Sequence, residues 1–338
     1  MSAAEVMAAD AIVVAIDGGG TKTDAVALDL RGDLVAHVRL GRSAVSPERI
    51  DASVAVVDEA VRRVRDEAGG APLRRVGVFL SGLDHDDEFA AYRDRIRPLP
   101  WFRGDDGSEA HVENDMFALL RAGTLAPDAI AVVCGTGLNA IGVRADGASS
   151  RFLAWGTLSG DWGGGSELGV SALWHAARAL DGRGPGTALA AAIPPRLDRP
   201  DLITVIEDVH FGRLAETRLS ELAPVVLDLA AEGDAVARGI VDRQAEEIVA
   251  MATSAARRLG LEDRAVPVVL GGGILAARPP LLLDGVERGL AAALPRAVPT
   301  VIDARPVLGA GLAVLEREGA DAGALRRARR SLERIALP

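Results

Sequence analysis

Lys22 is the single lysine of the 338-residue chain, and it lies in Asp17-Gly18-Gly19-Gly20-Thr21-Lys22-Thr23. Arginine meets every other need for a basic side chain, so this position asks for a compact ammonium in place of a planar guanidinium. Beside glycines, whose N–H groups can approach a ligand closely, such a point charge suits the polyphosphate of a nucleotide. The plainer reading is a tight turn with a stray surface lysine. Asp17, at the head of the turn, is placed to hold Mg2+ through water. A second turn, Gly135-Thr136-Gly137-Leu138-Asn139, could clamp the same polyphosphate. A third run, Gly271-Gly272-Gly273, would let an adenine and ribose lie flat against bare backbone.

Asp115 follows a short apolar run in His111-Val112-Glu113-Asn114-Asp115 and directly precedes a helical segment. A carboxylate there could accept the proton of an attacking hydroxyl, as phosphoryl transfer requires, or it could cap the helix. The stretch from Trp155 to Ser166 mixes tryptophans, glycines and Asp161. Aromatic faces and carboxylates together suit a polyol or sugar, whereas a mobile glycine hinge is the alternative. The five histidines show no metal-ligand spacing, and Cys134 has no histidine base near it in sequence, so all six read as structural.

These groups need elements to hold them. Residues 11–16 form a β-branched run, the first glycine turn follows, and 24–30 alternate with the period of a strand. Strand, turn, strand fits neither a Walker A loop nor a Rossmann loop, both of which open a helix. The same order recurs at 129–134, 135–139 and 140–143, so the chain reads as a duplicated unit. Helices are expected over 47–67, 86–97, 166–181, 215–232, 234–259 and 280–294, with strands at 76–80, 110–113, 266–270 and 298–302. The last stretch, 308–334, reads as one or two helices. The repeat and Gly123 divide the chain into 1–122 and 123–307, with 308–334 returning to complete the first domain.

Composition narrows the classes. With 49% hydrophobic residues there is ample material for buried cores, and a net charge of −10 without a basic stripe argues against nucleic acid or an anionic membrane as partner. A single cysteine leaves no disulfide framework and makes a reduced cytoplasmic compartment the default. The apolar run near the N-terminus is too short for a signal h-region, and no stretch reaches the length of a membrane span.

DGGGTKT at 17–23, the pair Asn114-Asp115, GTGLNA at 135–140, WGTLSGD at 155–161, LSELAPVVLDLAAEGD at 219–234 and PVLGAGLAVL at 306–315 resemble the BadF/BadG/BcrA/BcrD-type ATPase and N-acetylglucosamine kinase family. That family belongs to the superfamily of sugar kinases, actin and heat-shock chaperone ATPases, and the likeness runs along nearly the whole chain. It implies an α/β protein of two ribonuclease-H-like domains, the actin-like ATPase fold, with an interdomain cleft that closes around Mg-ATP and a sugar. It also implies that Gly18, Gly19, Gly20, Thr21, Lys22, Thr23, Gly135, Thr136 and Gly137 bind phosphates, that Gly271, Gly272 and Gly273 border adenosine, and that Asp115 is the general base. Asn114, Asn139, Trp155, Gly156 and Asp161 fall where such kinases contact the sugar.

Two departures lie on the sugar side. Val45 stands where an asparagine for the sugar is usual, and Trp162 where an acid is usual. The activity implied is transfer of the γ-phosphate of ATP to a hydroxyl of a hexose, an amino sugar such as N-acetylglucosamine or glucosamine, by a homodimer. Redox-activator ATPases of the same family hold an iron–sulfur cluster between subunits, and one cysteine per chain offers a dimer two thiolates against the four required. An ATP-binding sensor with reduced catalysis is the remaining alternative.

Overall fold

The apolar run ahead of the first glycine turn is too short for a buried helix and rich in β-branched side chains, and it forms a strand. A computed structural model, which describes residues 11–335, places β1 at Ile12–Gly18, β2 at Thr23–Asp29 and β3 at Leu34–Leu40, followed by α1 (Ile50–Glu67), β4 (Leu73–Leu80), α2 (Asp86–Ile96), β5 (His111–Asn114) and α3 (Asp115–Gly123). Then come β6 (Ala129–Cys134), β7 (Leu138–Val143), β8 (Ser149–Arg151), α4 (Gly164–Leu180), α5 (Leu189–Arg196), α6 (Leu202–His210), α7 (Ala223–Ala231), α8 (Ala235–Leu259), β9 (Pro267–Gly271), α9 (Gly273–Ala276), α10 (Pro280–Ala293) and β10 (Val298–Val301). The described chain ends with α11 (Pro306–Arg317) and α12 (Ala322–Glu333).

These elements form two compact units. The first contains the described residues up to Leu125 together with those from Ala304 onward; the second runs from Ala126 to Asp303. Each holds a five-stranded sheet of one topology: β3-β2-β1-β4-β5 in the first and β8-β7-β6-β9-β10 in the second. In each, the first three strands pair antiparallel and the last two are parallel additions. This is the ribonuclease-H-like arrangement, occurring twice, and the duplication read from the glycine turns is a duplication of the whole sheet.

In the first unit, one sheet face carries Ile12, Val14, Ile16, Ala25, Ala27, Val76 and Val78 into a core with Val57, Val61 and Val64 of α1. The other face meets α11 so closely that Gly77 has no room for a Cβ against Val314, nor Gly311 against Leu28. Here α1 obeys the helical period, burying Ile50, Ser53, Val57, Ala60, Val61 and Val64.

Several elements escaped the sequence reading. β3 alternates weakly because His37 and Arg39 point toward a buried aspartate, and β8 is only three residues long. Helices α5 and α6 carry Pro194, Pro195 and a short apolar stripe that give little periodic signal. The expected helix over 215–232 divides into a 3-10 segment, Glu216–Leu222, and α7, because Pro224 sits in the first turn of the latter. Between α11 and α12, Gly319 adopts φ +73° and reverses the chain, which settles 308–334 as two helices. Among the described residues, no helix is long and apolar enough to cross a membrane.

Candidate active site

The first glycine turn closes a hairpin in which Gly18 pairs with Thr23 and the Gly19 N–H donates to the Lys22 carbonyl at 3.0 Å. Its two ends are built into the protein. Gly18 is buried, and a Cβ there would meet Ser43 Oγ at 2.0 Å. Thr23 is fully buried and donates to the Gly41 carbonyl, with Ser43 Oγ also within 2.7 Å. The side chain of Thr23 is therefore committed to anchoring the turn, and Gly18 supports it from below. Gly20 and Thr21 form the exposed tip, and nothing lies within 4 Å of where a Gly20 Cβ would be. A ligand's phosphates have free access to this backbone.

Lys22 Nζ lies 3.4 Å from Asp24 Oδ2. Asp24 is buried, and His37 Nε2 and Arg39 Nε approach its Oδ1 at 2.9 and 2.8 Å. Burial alone would raise the Asp24 pKa, but the hydrogen bonds from His37 and Arg39 and the Lys22 charge outweigh it and hold the group well below the usual carboxylate range. The register explains the grouping, since Asp17, Asp24 and Arg39 stand side by side across β1, β2 and β3.

Asp17 has the opposite fate. Burial, then the charges of Asp115 and Asp24, push its pKa up to about 8, with Lys22 opposing. Burial likewise pushes Asp115 up to about 6. Asp115 is the first residue of α3, but it is not the cap: Asn114 Oδ1 accepts the Met116 N–H at 2.8 Å. Asn114 Nδ2 donates to the Leu83 carbonyl at 3.0 Å and to Asp84 Oδ1 at 2.9 Å. Asn114 is only 3% exposed, and its side chain, expected to contact the sugar, caps the helix here.

Two interacting carboxylates short of positive charge are a donor set that a divalent cation would satisfy. Among the described residues, no group of three or more His, Cys, Asp or Glu side chains could hold a metal.

In the second unit the turn Gly135–Gly137 is likewise open, with nothing within 4 Å of a Cβ at either glycine. The N-terminus of α4 abuts it: the Gly165 and Ser166 N–H groups donate to the Gly135 and Thr136 carbonyls at 2.8 and 2.9 Å. Gly164, at φ +79°, approaches Gly137 so closely that a Cβ would lie 2.5 Å from its backbone. The buried Gln244 of α8 fixes this junction by accepting the Gly164 N–H at 2.7 Å. Gly272, at φ +91°, meets the Cys134 carbonyl in the same way, and burial pushes the Cys134 thiol up to about 12, which excludes it as a nucleophile.

A cavity of about 650 Å3 opens beside this turn, entirely within the second unit. Gly135, Thr136 and Gly273 line it together, facing Ser220 and the Ala223–Ala231 helix. Of the third glycine run, Gly273 reaches the cavity, whereas Gly271 ends β9 and Gly272 shapes the wall behind. The α7 face and the following Ile274, Ala277 and Arg278 went unnoticed in the sequence, although residues 220, 223, 224, 227, 228 and 231 already follow a helical stripe.

The loop after β8 is held by its own polar groups. Asp161 is 8% exposed, its Oδ2 lies 2.5 Å from Ser159 Oγ, and its N–H donates to the Gly156 carbonyl. Gly156 starts a 3-10 turn at φ +63°, and Trp155 is 47% exposed beside it. Asn139 Oδ1 accepts the Ala140 N–H at 2.7 Å. Trp162, the departure from an acid, packs against the second core with the Arg243 guanidinium 4.0 Å from its ring centroid. Val45 is held by its backbone, its N–H donating to the Ser81 carbonyl at 2.9 Å.

Residues 14–312 match the model of the BadF/BadG/BcrA/BcrD ATPase family. The N-acetyl-D-glucosamine kinase of Dictyostelium discoideum is 27% identical over 320 residues, covering 90% of this chain and 98% of the kinase. An N-acetylmuramic acid/N-acetylglucosamine kinase of Clostridium acetobutylicum is 26% identical, covering 78% and 85%. Among solved structures, a Chromobacterium violaceum protein proposed to be an N-acetylglucosamine kinase superposes with a TM-score of 0.68 at 25% identity, covering 89% and 98%. A glucokinase from Streptomyces griseus, solved with glucose and AMPPNP, shares the fold at a TM-score of 0.52 and 18% identity, covering 90% and 99%.

Proposed function

Since the chain belongs to the BadF/BadG/BcrA/BcrD ATPase family, we propose that it is an ATP-dependent carbohydrate kinase whose acceptor is a hydroxyl of an amino hexose, N-acetylglucosamine or glucosamine. The observation that carries the catalytic part is the arrangement at the start of α3: Asn114 caps the helix, and burial lifts the pKa of the Asp115 carboxyl to about 6 against backbone hydrogen bonds that lower it. A carboxylate so tuned is a better proton acceptor at neutral pH than an ordinary aspartate.

In this reading the backbone of Gly19–Thr21, Lys22 and the turn Gly135–Gly137 hold the phosphate oxygens of ATP. Asp17 holds Mg2+ through water, and the ion supplies charge neutralisation for the phosphates. Asp115 orients the sugar hydroxyl and accepts its proton as the oxygen attacks the γ-phosphorus; the bond to the β,γ-bridging oxygen breaks and ADP leaves. Asn139, Trp155, the backbone of Gly156 and Asp161 hold the sugar. A cytoplasmic homodimer is part of the same proposal.

The first test is ADP release from Mg-ATP with glucosamine, N-acetylglucosamine, N-acetylmannosamine, glucose and a cyclitol, each against a blank without sugar. One amino sugar should stimulate release, and Asp115→Asn should cut that rate by about 10²- to 10⁴-fold while ATP still binds. Unchanged turnover in Asp115→Asn would refute the assigned base, and no stimulation by any sugar would refute the acceptor.

A further inference from the structure

The cavity beside the second glycine turn has one carboxylate side chain on its helical wall. Ser220, Ala223, Pro224, Leu227, Asp228 and Ala231 present a single stripe to it, and Asp228 is the sole charge in that stripe. Its neighbours Val226 and Ala230 turn the helix's other face into the core. The Asp228 carboxylate is exposed and, among the described residues, has no hydrogen-bond or ion-pair partner. On the wall of a site for a polyanion, such a group is repulsive unless a ligand brings hydrogen-bond donors to it.

Its height along the helix identifies those donors. Ser220 lies next to the glycine turn, its carbonyl 3.3 Å from the Gly165 Cβ position and the Gly135 carbonyl 3.6 Å from the same point. From Ala223 to Asp228 the helix rises about 7.5 Å, the span that separates a nucleotide's β-phosphate from its sugar hydroxyls, while Ala231 and Leu227 offer only apolar surface to a base. Resting on the kinase reading, we propose that Asp228 accepts hydrogen bonds from the 2′- and 3′-hydroxyls of the nucleotide, making it the residue that selects ribonucleotides over deoxyribonucleotides. The same charge fixes the ligand's direction, because a phosphate placed at Asp228 would be repelled.

Calorimetric titration of the full-length protein with ATP, 2′-deoxy-ATP, 3′-deoxy-ATP and GTP, without sugar, tests this. The parent should bind ATP about ten- to a hundredfold more tightly than either deoxy analogue, the range expected of hydrogen bonds to a charged acceptor. Asp228→Ala should bind ATP and both deoxy analogues about equally, ATP losing the most affinity and each deoxy analogue losing the one hydrogen bond it kept, and Asp228→Asn should fall between. Far-ultraviolet dichroism of each variant establishes that α7 is intact. A ribose preference that persists in Asp228→Ala, or a change confined to the ATP-to-GTP ratio, would overturn the assignment while leaving the kinase reading standing. A parent that binds no nucleotide would overturn both.

Discussion

Asp17 shows how a buried carboxylate costs stability. Its pKa is pushed up to about 8, first by burial and then by Asp115 and Asp24. A carboxyl group whose folded pKa exceeds its unfolded value of about 3.9 contributes stability that is complete below that value and is lost as pH rises through the folded one. Asp17→Asn should therefore raise the melting temperature at pH 8 in the absence of nucleotide, and the gain should vanish near pH 4, where the parent is itself protonated. Thermal melts across that range give the answer, and a gain of equal size at both ends would mean that packing, not charge, is responsible. At this scale the sequence singled out the glycine turns, which the structure places at strand ends with open backbone, because backbone access is written in residue type. It left the cap ambiguous, since asparagine and aspartate both cap helices and only coordinates show that Asn114 does so. Nor could it show His37 and Arg39 converging on Asp24, which depends on the register of β3.

Helix α3 carries Asp115, and α11 lies against it with almost no separation. A Cβ on Gly309 would stand 1.7 Å from the Ala118 carbonyl oxygen and 2.5 Å from the Ala122 nitrogen, so backbone must move. Gly309→Ala is expected to cost about 1–3 kcal/mol or more and, if Asp115 is the base as proposed, to lower kcat by tilting α3. Gly311→Ala should be milder, because its new methyl meets the side-chain ends of Leu28 and Leu332 at 2.9 Å. Chemical denaturation and steady-state kinetics on both variants would check the order; a Gly309→Ala protein as stable and active as the parent would show that α11 does not position α3. PVLGAGLAVL entered the sequence reading only as part of the family likeness; what its glycines pack against lies far away in sequence, and the period of a helix does not name its partner.

For the molecule as a whole, acid sensitivity should trace in part to His111. Burial, then the charges of Arg317, Arg75 and Arg93, push its pKa down to about 3, and its ring packs edge-on to Phe79 at 5.8 Å. A histidine held neutral in the fold costs nothing above its unfolded pKa of about 6.5, and stability declines as pH falls from there toward the folded value. Relative to His111→Gln, the parent should lose up to about 1.4 kcal/mol per pH unit between roughly 6.5 and 3. Urea melts at intervals of pH would measure that difference, and parallel curves would refute it. The doubled architecture was legible because each sheet begins with the same strand, glycine turn and strand. The helices α5 and α6 were not, since prolines and short stripes erase their period.

The first unit is discontinuous in sequence: its sheet is made early, and the helices that cover one sheet face, α11 and α12, come last. On a ribosome adding ~5–20 residues per second, that face waits on the order of ten seconds or more for its cover while the whole of the second unit emerges. The second unit, contiguous from Ala126 to Asp303, can complete itself before the first. Newly made chains should thus depend on holdase chaperones bound to the β1–β2 region, and a stop codon just before α11 should leave a nascent sheet with nowhere to bury itself.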